Sequence, residues 1–462
     1  MSSTALASTA TPAAAPAAVP APAAYADELA AFAASLTTAA IPEAVRRHAR
    51  LVLLDTVGAI VAGTRETEIA ALAAALRAGS ATAPAQLAFV LGTAGVAIEL
   101  DEGCAPSRGH PGVHVVPALL AAMAAGHDAD ADTLLTALVA GYEVAARLGS
   151  ATTFRDGIHP HGTWGACGAA AALGRLAGLP APMIATAIRA AASLSVATDY
   201  QTVHAGALVR NAWSGMAGFA GTMAVELARA GFSAAADAPA GVFGRVLGTG
   251  FDRAAATDGL GHRWLICENY FKPYACCRHT HASVAALEQA VDGVAPDAIV
   301  AVRAFTYARA VAATGALRPQ PTPLAAKFSL PYIVAARLLH GGLGDDAFRE
   351  PVLSRRDIAA LAERVTVADD PALSALFPGV RAARVEVDLA DGSTRTAEAH
   401  GSHGDPQDPM SEDEVRAKFL RLAGPSLGAD TAAVLADDVL TAAASPAITP
   451  AGLARQVTSL VT

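Results

Sequence analysis

Apolar positions along this chain recur mostly every three to four residues. In EAVRRHARLVLLDTVGAIVAG, Val45, Ala49, Val52, Leu53, Val57, Ile60 and Val61 share one helical face, and Gly63 supplies a stop. Similar Ala-rich helices are predicted over 117–125, 132–148, 165–177, 182–197 and 215–230, each bounded by Gly, Pro or Asp. The period changes after about Phe271. Short strands are predicted over 298–307 and 364–368, with helices over 282–291 and 331–339 between them. Within 383–398, Val385, Val387 and Leu389 alternate, and Asp391-Gly392 marks a hairpin turn. A helical pattern returns with MSEDEVRAKFLRLAG.

The expected fold is mainly α: a large all-helical domain built from both chain ends, with an inserted smaller α+β lid domain. The divisions are a disordered Ala/Pro-rich tail (1–24), helical domain (25–271), lid (272–398) and the rest of the helical domain (399–462). A length of 462 residues already asks for more than one core. The cleft between two such domains is a usual place for a small-molecule site.

Composition narrows the function. Hydrophobic residues make up 53%, much of it alanine, and aromatics only 5%, which argues against a sandwich or barrel. The net charge of −9, without a basic stripe, gives no reason to expect nucleic acid. A mean hydropathy of +0.38 raises the question of membrane spans, but the apolar runs are short or broken by residues such as Arg189 and Asp199. The five cysteines include no C-x-x-C pair, which fits a reducing compartment. The N-terminal stretch has neither the basic start of a secretory signal nor the arginines of a mitochondrial one, so a cytoplasmic location is expected. No dinucleotide or phosphate-loop glycine motif occurs.

Five clusters set polar groups beside Gly and Pro at helix edges, where a side chain can face a cavity. IELDEGCAPSRGHPGVHVVPALLAA offers Glu99, Asp101, Glu102, Arg108, His110 and His114 before a helix expected near Pro117: a proton acceptor, a carboxylate clamp and an acid, or a solvated loop with a cap. FRDGIHPHGTWGACG places His159 and His161 before a small-residue helix start, suited to an anion or simply exposed. TDYQTVHAGALVRNAWSG holds Asp199, Tyr200, His204, Arg210 and Asn211 in apolar surroundings; a buried arginine there needs a partner, from a substrate carboxylate or a structural ion pair. ENYFKPYACCRHTHASVAAL gathers Lys272, Tyr274, Cys276, Cys277, Arg278, His279 and His281 at the domain junction. Its adjacent cysteines lack zinc spacing, so an anion-receiving cluster reads better than a metal site. AAKFSLPYIVAARLLHGG sets Lys327, Ser329 and Tyr332 at a helix head, Tyr332 being a polar tip or ordinary packing.

In order and spacing, LLDTVGAIVAG, the DEG…GHPGVHVVPALLA stretch, HPHGTWGACGAAAALGRLAGL, KPYACCRHTH, KFSLPYIVAARLL and GDPQDPMSEDEVRAKF resemble the MmgE/PrpD family, from about Tyr25 to the C-terminus. Its members include 2-methylcitrate dehydratases, cis-aconitate decarboxylases and iminodisuccinate epimerases. The resemblance implies the same split helical domain and lid, a homodimer, a small carboxylate substrate, and no metal or organic cofactor. Matched to its motifs, His110, His159, His281 and Tyr332 are the implied catalytic residues, with Asp101 beside them. Glu99, Asp101 and Glu102 fall on its acidic positions, where Gly103 replaces a threonine. The TDYQTVHAG segment lacks the lysine of dehydratase- and decarboxylase-like members, leaving His204 or Arg210 as the nearest cation. Those two losses argue against a tricarboxylate substrate, because an unpaired carboxylate in a closed cleft is costly.

The expected chemistry is proton transfer at a carbon activated by a carboxylate or carbonyl. His159 or His110 would be acid or base at carbon, and His281 and Tyr332 would come from the lid. Glu99, Arg108, His204, Arg210, Lys272 and Arg278 would bind substrate. A hydro-lyase of the dehydratase type is the leading expectation. An epimerase of a dicarboxylate or its imino derivative is second, a decarboxylase third, and a degenerate ligand-binding member is the non-enzymatic alternative.

Overall fold

The computed structural model describes residues 24–77, 83–317, 322–441 and 448–462. Its first helix opens at Ala24, so the stretch expected to be a tail otherwise lies outside the described residues. The fold is mainly α with a small α+β part.

The helix Glu43–Gly63 buries the apolar face read from the sequence. Against it lies Glu412–Leu427, from the other end of the chain, held at its start by a capping box between Ser411 and Glu414. A buried charge stitches the two ends: Lys418 Nζ lies 2.7 Å from Asp55 and donates to the Leu100 carbonyl at 2.7 Å. Burial raises the Asp55 carboxyl and lowers the Lys418 ammonium, and their pairing only partly offsets this.

Alanine and glycine let the helices approach closely. A Cβ on Gly141, in the helix Ala131–Ala151, would stand 2.7 Å from the Gly168 carbonyl. One on Gly168, in the facing helix Gly165–Leu176, would stand 2.6 Å from the Gly141 carbonyl. The two backbones touch through reciprocal gaps.

Two helices begin earlier than the sequence pattern places them. The one expected near Pro117 starts at Gly112, because the buried Glu102 carboxyl oxygen accepts the Gly112 N–H at 2.7 Å and caps that end. Pro117 sits inside it, and Ser214 Oγ lies 3.5 Å from the Val113 carbonyl that Pro117 cannot bond. The helix expected from Gly215 starts at Val209, which puts Arg210 and Asn211 in its first turn.

The α+β part is a four-stranded sheet in the order Val365–Asp369, Ile299–Thr306, Ala383–Leu389, Thr394–Ala399, its first pair parallel and the others antiparallel. The last two strands form the expected hairpin, with Gly392 at φ +84° in its turn. Val302, Val385 and Val387 point to a small core under the helices His281–Ala290 and Leu330–Leu339. Two ribbons interrupt the helical part. Gly103–Cys104 pairs with Asn269–Tyr270, and Thr152–Phe154 with Gly248–Phe251. No described helix is long and apolar enough to cross a membrane.

The reciprocal contact makes a direct prediction. Gly141→Ala should cost about 1–3 kcal/mol in a urea titration, because backbone must move. Gly424→Ala, at a helical position with nothing beyond its chain neighbours within 4 Å but directly before Pro425, should change stability by less than about 1 kcal/mol. Equal midpoints for the two variants would refute the close-packing explanation.

Candidate functional site

The Gly103–Tyr270 ribbon draws the 99–110 loop and the Lys272 segment together. Glu99 (φ +58°) and Arg108 (φ +55°) are non-glycine residues in the left-handed region, a conformation that persists only where contacts hold it. Glu99 is held from two sides: Arg210 Nη1 lies 2.5 Å from one carboxylate oxygen and Lys272 Nζ 3.3 Å from the other. Lys272 also reaches Asp101 at 3.1 Å, and all four groups are buried. Burial alone would raise the Asp101 carboxyl. The hydrogen bond to His110 and the Lys272 charge outweigh it and keep Asp101 well below the usual carboxylate range. Burial opposes the Lys272 charge, but Asp101 and Glu99 raise its pKa. Glu102, pushed up to about 8 by burial, sits behind the loop on the Tyr142 hydroxyl and the Gly112 amide.

Gly103, where the related pattern has a threonine, has a steric reason. A Cβ there would lie 2.3 Å from the Tyr270 hydroxyl oxygen, so the tyrosine fills the space a threonine side chain would need.

His110 and His159 face one cavity of about 260 Å³. His110 Nδ1 lies 2.9 Å from Asp101 Oδ2 and 2.6 Å from the Glu102 carbonyl. Both are acceptors, so in the neutral ring Nδ1 carries the proton and Nε2 keeps a lone pair. His159 is the reverse. Its Nδ1 accepts the His161 backbone N–H at 3.2 Å, which leaves Nε2 as the protonated nitrogen. Burial and then the Arg210 charge hold His159 well below the ordinary histidine pKa, so it is a neutral donor. His161 lies between, its ring 5.1 Å from that of His110 and 4.6 Å from that of His159, with Nδ1 3.2 Å from His114 Nε2.

Among the described residues, the wall carries seven cationic side chains and one carboxylate, Glu99. Arg108 and Arg155 are exposed at the rim; Arg210, Lys272 and Arg278 are buried; Arg309 and Arg381 are half-buried. Arg278 pairs with Asp405, and Arg108 donates to the Thr152 carbonyl. Among the described residues, buried guanidinium nitrogens find no hydrogen-bond partner on Arg210 (Nε), Arg278 (Nη1) and Arg381 (Nε). Such donors are expensive to bury unless a ligand meets them. The lysine absent from the TDYQTVHAG segment, taken with Gly103 as an argument against a tricarboxylate substrate, is offset in charge by arginines from elsewhere in the chain.

Among the described residues, Asp101, His110 and His161 form a group that could hold a metal ion, their ligand atoms lying within 4.8 Å of one another. Lys272 and the surrounding guanidiniums set positive charge against a dication there.

Two regions of the chain match the halves of one family. Residues 27–252 match the MmgE/PrpD N-terminal domain and 274–441 the MmgE/PrpD C-terminal domain. The chain belongs to the MmgE/PrpD family. Similar proteins include cis-aconitate decarboxylase of Aspergillus terreus, 24% identical over 86% of this chain and 89% of that protein. Cis-aconitate decarboxylase of Homo sapiens is 25% identical over 75% and 74% respectively.

Of the residues expected to be catalytic or to bind substrate, the cavity brings together Glu99, Arg108, His110, His159, Arg210, Lys272 and Arg278, with Asp101 directly behind His110. Three lie away from its wall. His281 is buried with Nε2 3.2 Å from the Cys276 carbonyl, while His279, two residues earlier, lines the cavity and lies 2.6 Å from the Tyr307 hydroxyl. The Tyr332 hydroxyl donates to the Ala347 carbonyl at 2.7 Å, and its ring packs near Phe348. His204 Nε2 lies 3.2 Å from the Ala313 carbonyl. Cys276 and Cys277 are buried, their thiols pushed up by burial to about 12 and 11.

Arg309 and Arg381 were not among the candidates. Their signal is local: neither has an acidic residue within four positions in sequence, so neither has a ready partner on its own element.

Burial holds His114 at about 3 and keeps His159, His161, His279 and His281 well below the ordinary 6.5. They stay neutral in the fold while the unfolded chain takes up protons near pH 6.5. Their contribution is therefore intact above about pH 6.5 and is lost as the pH falls from there, by up to about 1.4 kcal/mol per pH unit for each. Urea midpoints should drop steeply from about pH 7 to pH 5, less steeply in His114→Gln. A flat profile would contradict neutral, buried imidazoles.

Proposed function

We propose that this protein is a lyase acting on a small polycarboxylate by proton transfer at a carbon next to a carboxylate, using only its own side chains. The observation that carries the reading is the pair of imidazoles whose hydrogen-bond partners call for opposite tautomers, on one cation-lined cavity. A degenerate binding protein would have no need to keep a base and a donor on the same wall.

In this reading His110 is the base. Asp101 holds its ring and stabilises the imidazolium that forms when Nε2 takes the proton from carbon. Charge then builds on the substrate's carboxylate as an enediolate, and the unpartnered Arg210 Nε–H stabilises it. His159 offers its Nε2–H to the departing hydroxyl, which leaves as water. A proton passed from the His110 imidazolium to His159 restores both rings. The base–donor pair favours elimination of water from a hydroxy acid. A decarboxylase needs a donor for the carbanion but no base at carbon; that second reading is favoured by the activity named for the similar proteins. Inversion at carbon would use the same two rings without a leaving group.

The test offers citrate-, malate-, tartrate- and iminodicarboxylate-type acids in deuterated buffer, followed by NMR and mass spectrometry. Deuterium uptake with a new alkene and loss of water is expected. His110→Gln and His159→Ala should each lower kcat/KM by at least about 100-fold. Loss of carbon dioxide would move the enzyme to the decarboxylases, and inversion with uptake to the epimerases. Full activity in both variants would end the assignment.

A further inference from the structure

Tyr270, on the ribbon that builds the site, carries two guanidiniums. Arg278 lies over its ring at 5.2 Å and Arg381 at 5.3 Å. Arg278 spends Nε and Nη2 on Asp405, and its Nη1 is buried without a partner. Arg381 enters from the segment just before the strand Ala383–Leu389, feels the Asp405 charge but makes no ion pair among the described residues, and buries its Nε equally unmet. Stacking on an aromatic face leaves the edge of a guanidinium free to donate. Two guanidiniums against one carboxylate leave one positive charge over, enough for one more anionic group. The Tyr270 ring centre is 6.2 Å from that of His110, so an anion here lies within one small substrate's length of the base.

We infer that Arg381 and Arg278 together form a distal carboxylate subsite on Tyr270, and that Arg381 is the specificity-determining residue that selects substrates bearing a carboxylate remote from the reacting carbon. The inference rests on the polycarboxylate reading above but concerns binding rather than turnover. Arg210 serves the carboxylate at the reacting carbon, and the Arg278–Arg381 pair serves the far one. Because Tyr270 belongs to the helical part and Arg381 to the sheet-bearing part, the far carboxylate also ties the two together.

The probes are propane-1,2,3-tricarboxylate and butyrate, which has no second carboxylate, titrated calorimetrically into the full chain. A lost charge-assisted contact at this subsite should weaken the tricarboxylate about 10–100-fold in Arg381→Met, with butyrate changed less than about threefold. Arg381→Lys restores the charge without the planar fork and should recover only part of the loss. Thermal midpoints within a degree or two of wild type show that the variants fold. Equal weakening of both acids, or none, overturns the subsite alone. A wild-type protein that binds neither acid overturns the polycarboxylate reading and the subsite with it.

Discussion

The site depends on one buried charge network. Glu99 and Asp101 are taken out of water only because Lys272 spans both and Arg210 closes on Glu99. Removing any member would strand a charge where water cannot reach it. The network also decides shape. It holds Glu99 in a left-handed conformation, fixes the loop that carries His110, and aims Asp101 at the His110 ring. A second buried pair, Lys418 with Asp55, joins the returning chain end beneath this loop, since Lys418 also holds the Leu100 carbonyl.

With the anions already paired, the cavity is left with an excess of positive charge and with opposed imidazoles. Both follow from second contacts rather than from the histidines themselves. Two acceptors behind His110 force one tautomer; a backbone N–H pointing at His159 forces the other. His161, buried between the rings, keeps them apart. A short ribbon in an otherwise helical layer makes this possible by bringing Tyr270 and Lys272 under the loop.

Much of this was legible in the sequence, for physical reasons. Helical periodicity and glycine stops marked the long helices, and period-two alternation with Asp391-Gly392 marked the hairpin. Helix starts were harder where tertiary contacts set them: Glu102 caps Gly112 from ten residues upstream, which hides behind the stronger local signal of Pro117. Clusters beside Gly and Pro found His110, His159, Arg210, Lys272 and Arg278. They did not separate His279 from His281, because which of two histidines faces the cavity depends on the single turn Arg278–Thr280 before the helix. Nor did they find Arg309 and Arg381, whose neighbours in sequence are bland and whose role appears only when the sheet-bearing part meets Tyr200 and Tyr270. The missing lysine is offset for the same reason: a cavity counts charges in space, not along one segment.

The opposite tautomers of His110 and His159 are the feature on which the chemistry turns, and nitrogen-15 NMR of histidine-labelled protein near pH 7 reads them directly. His110→Gln and His159→Ala spectra provide the assignments. His110 should show a protonated Nδ1 and a bare Nε2, and His159 a bare Nδ1 and a protonated Nε2. The same tautomer in both rings, or a His159 imidazolium at neutral pH, would contradict the proposed division into base and donor.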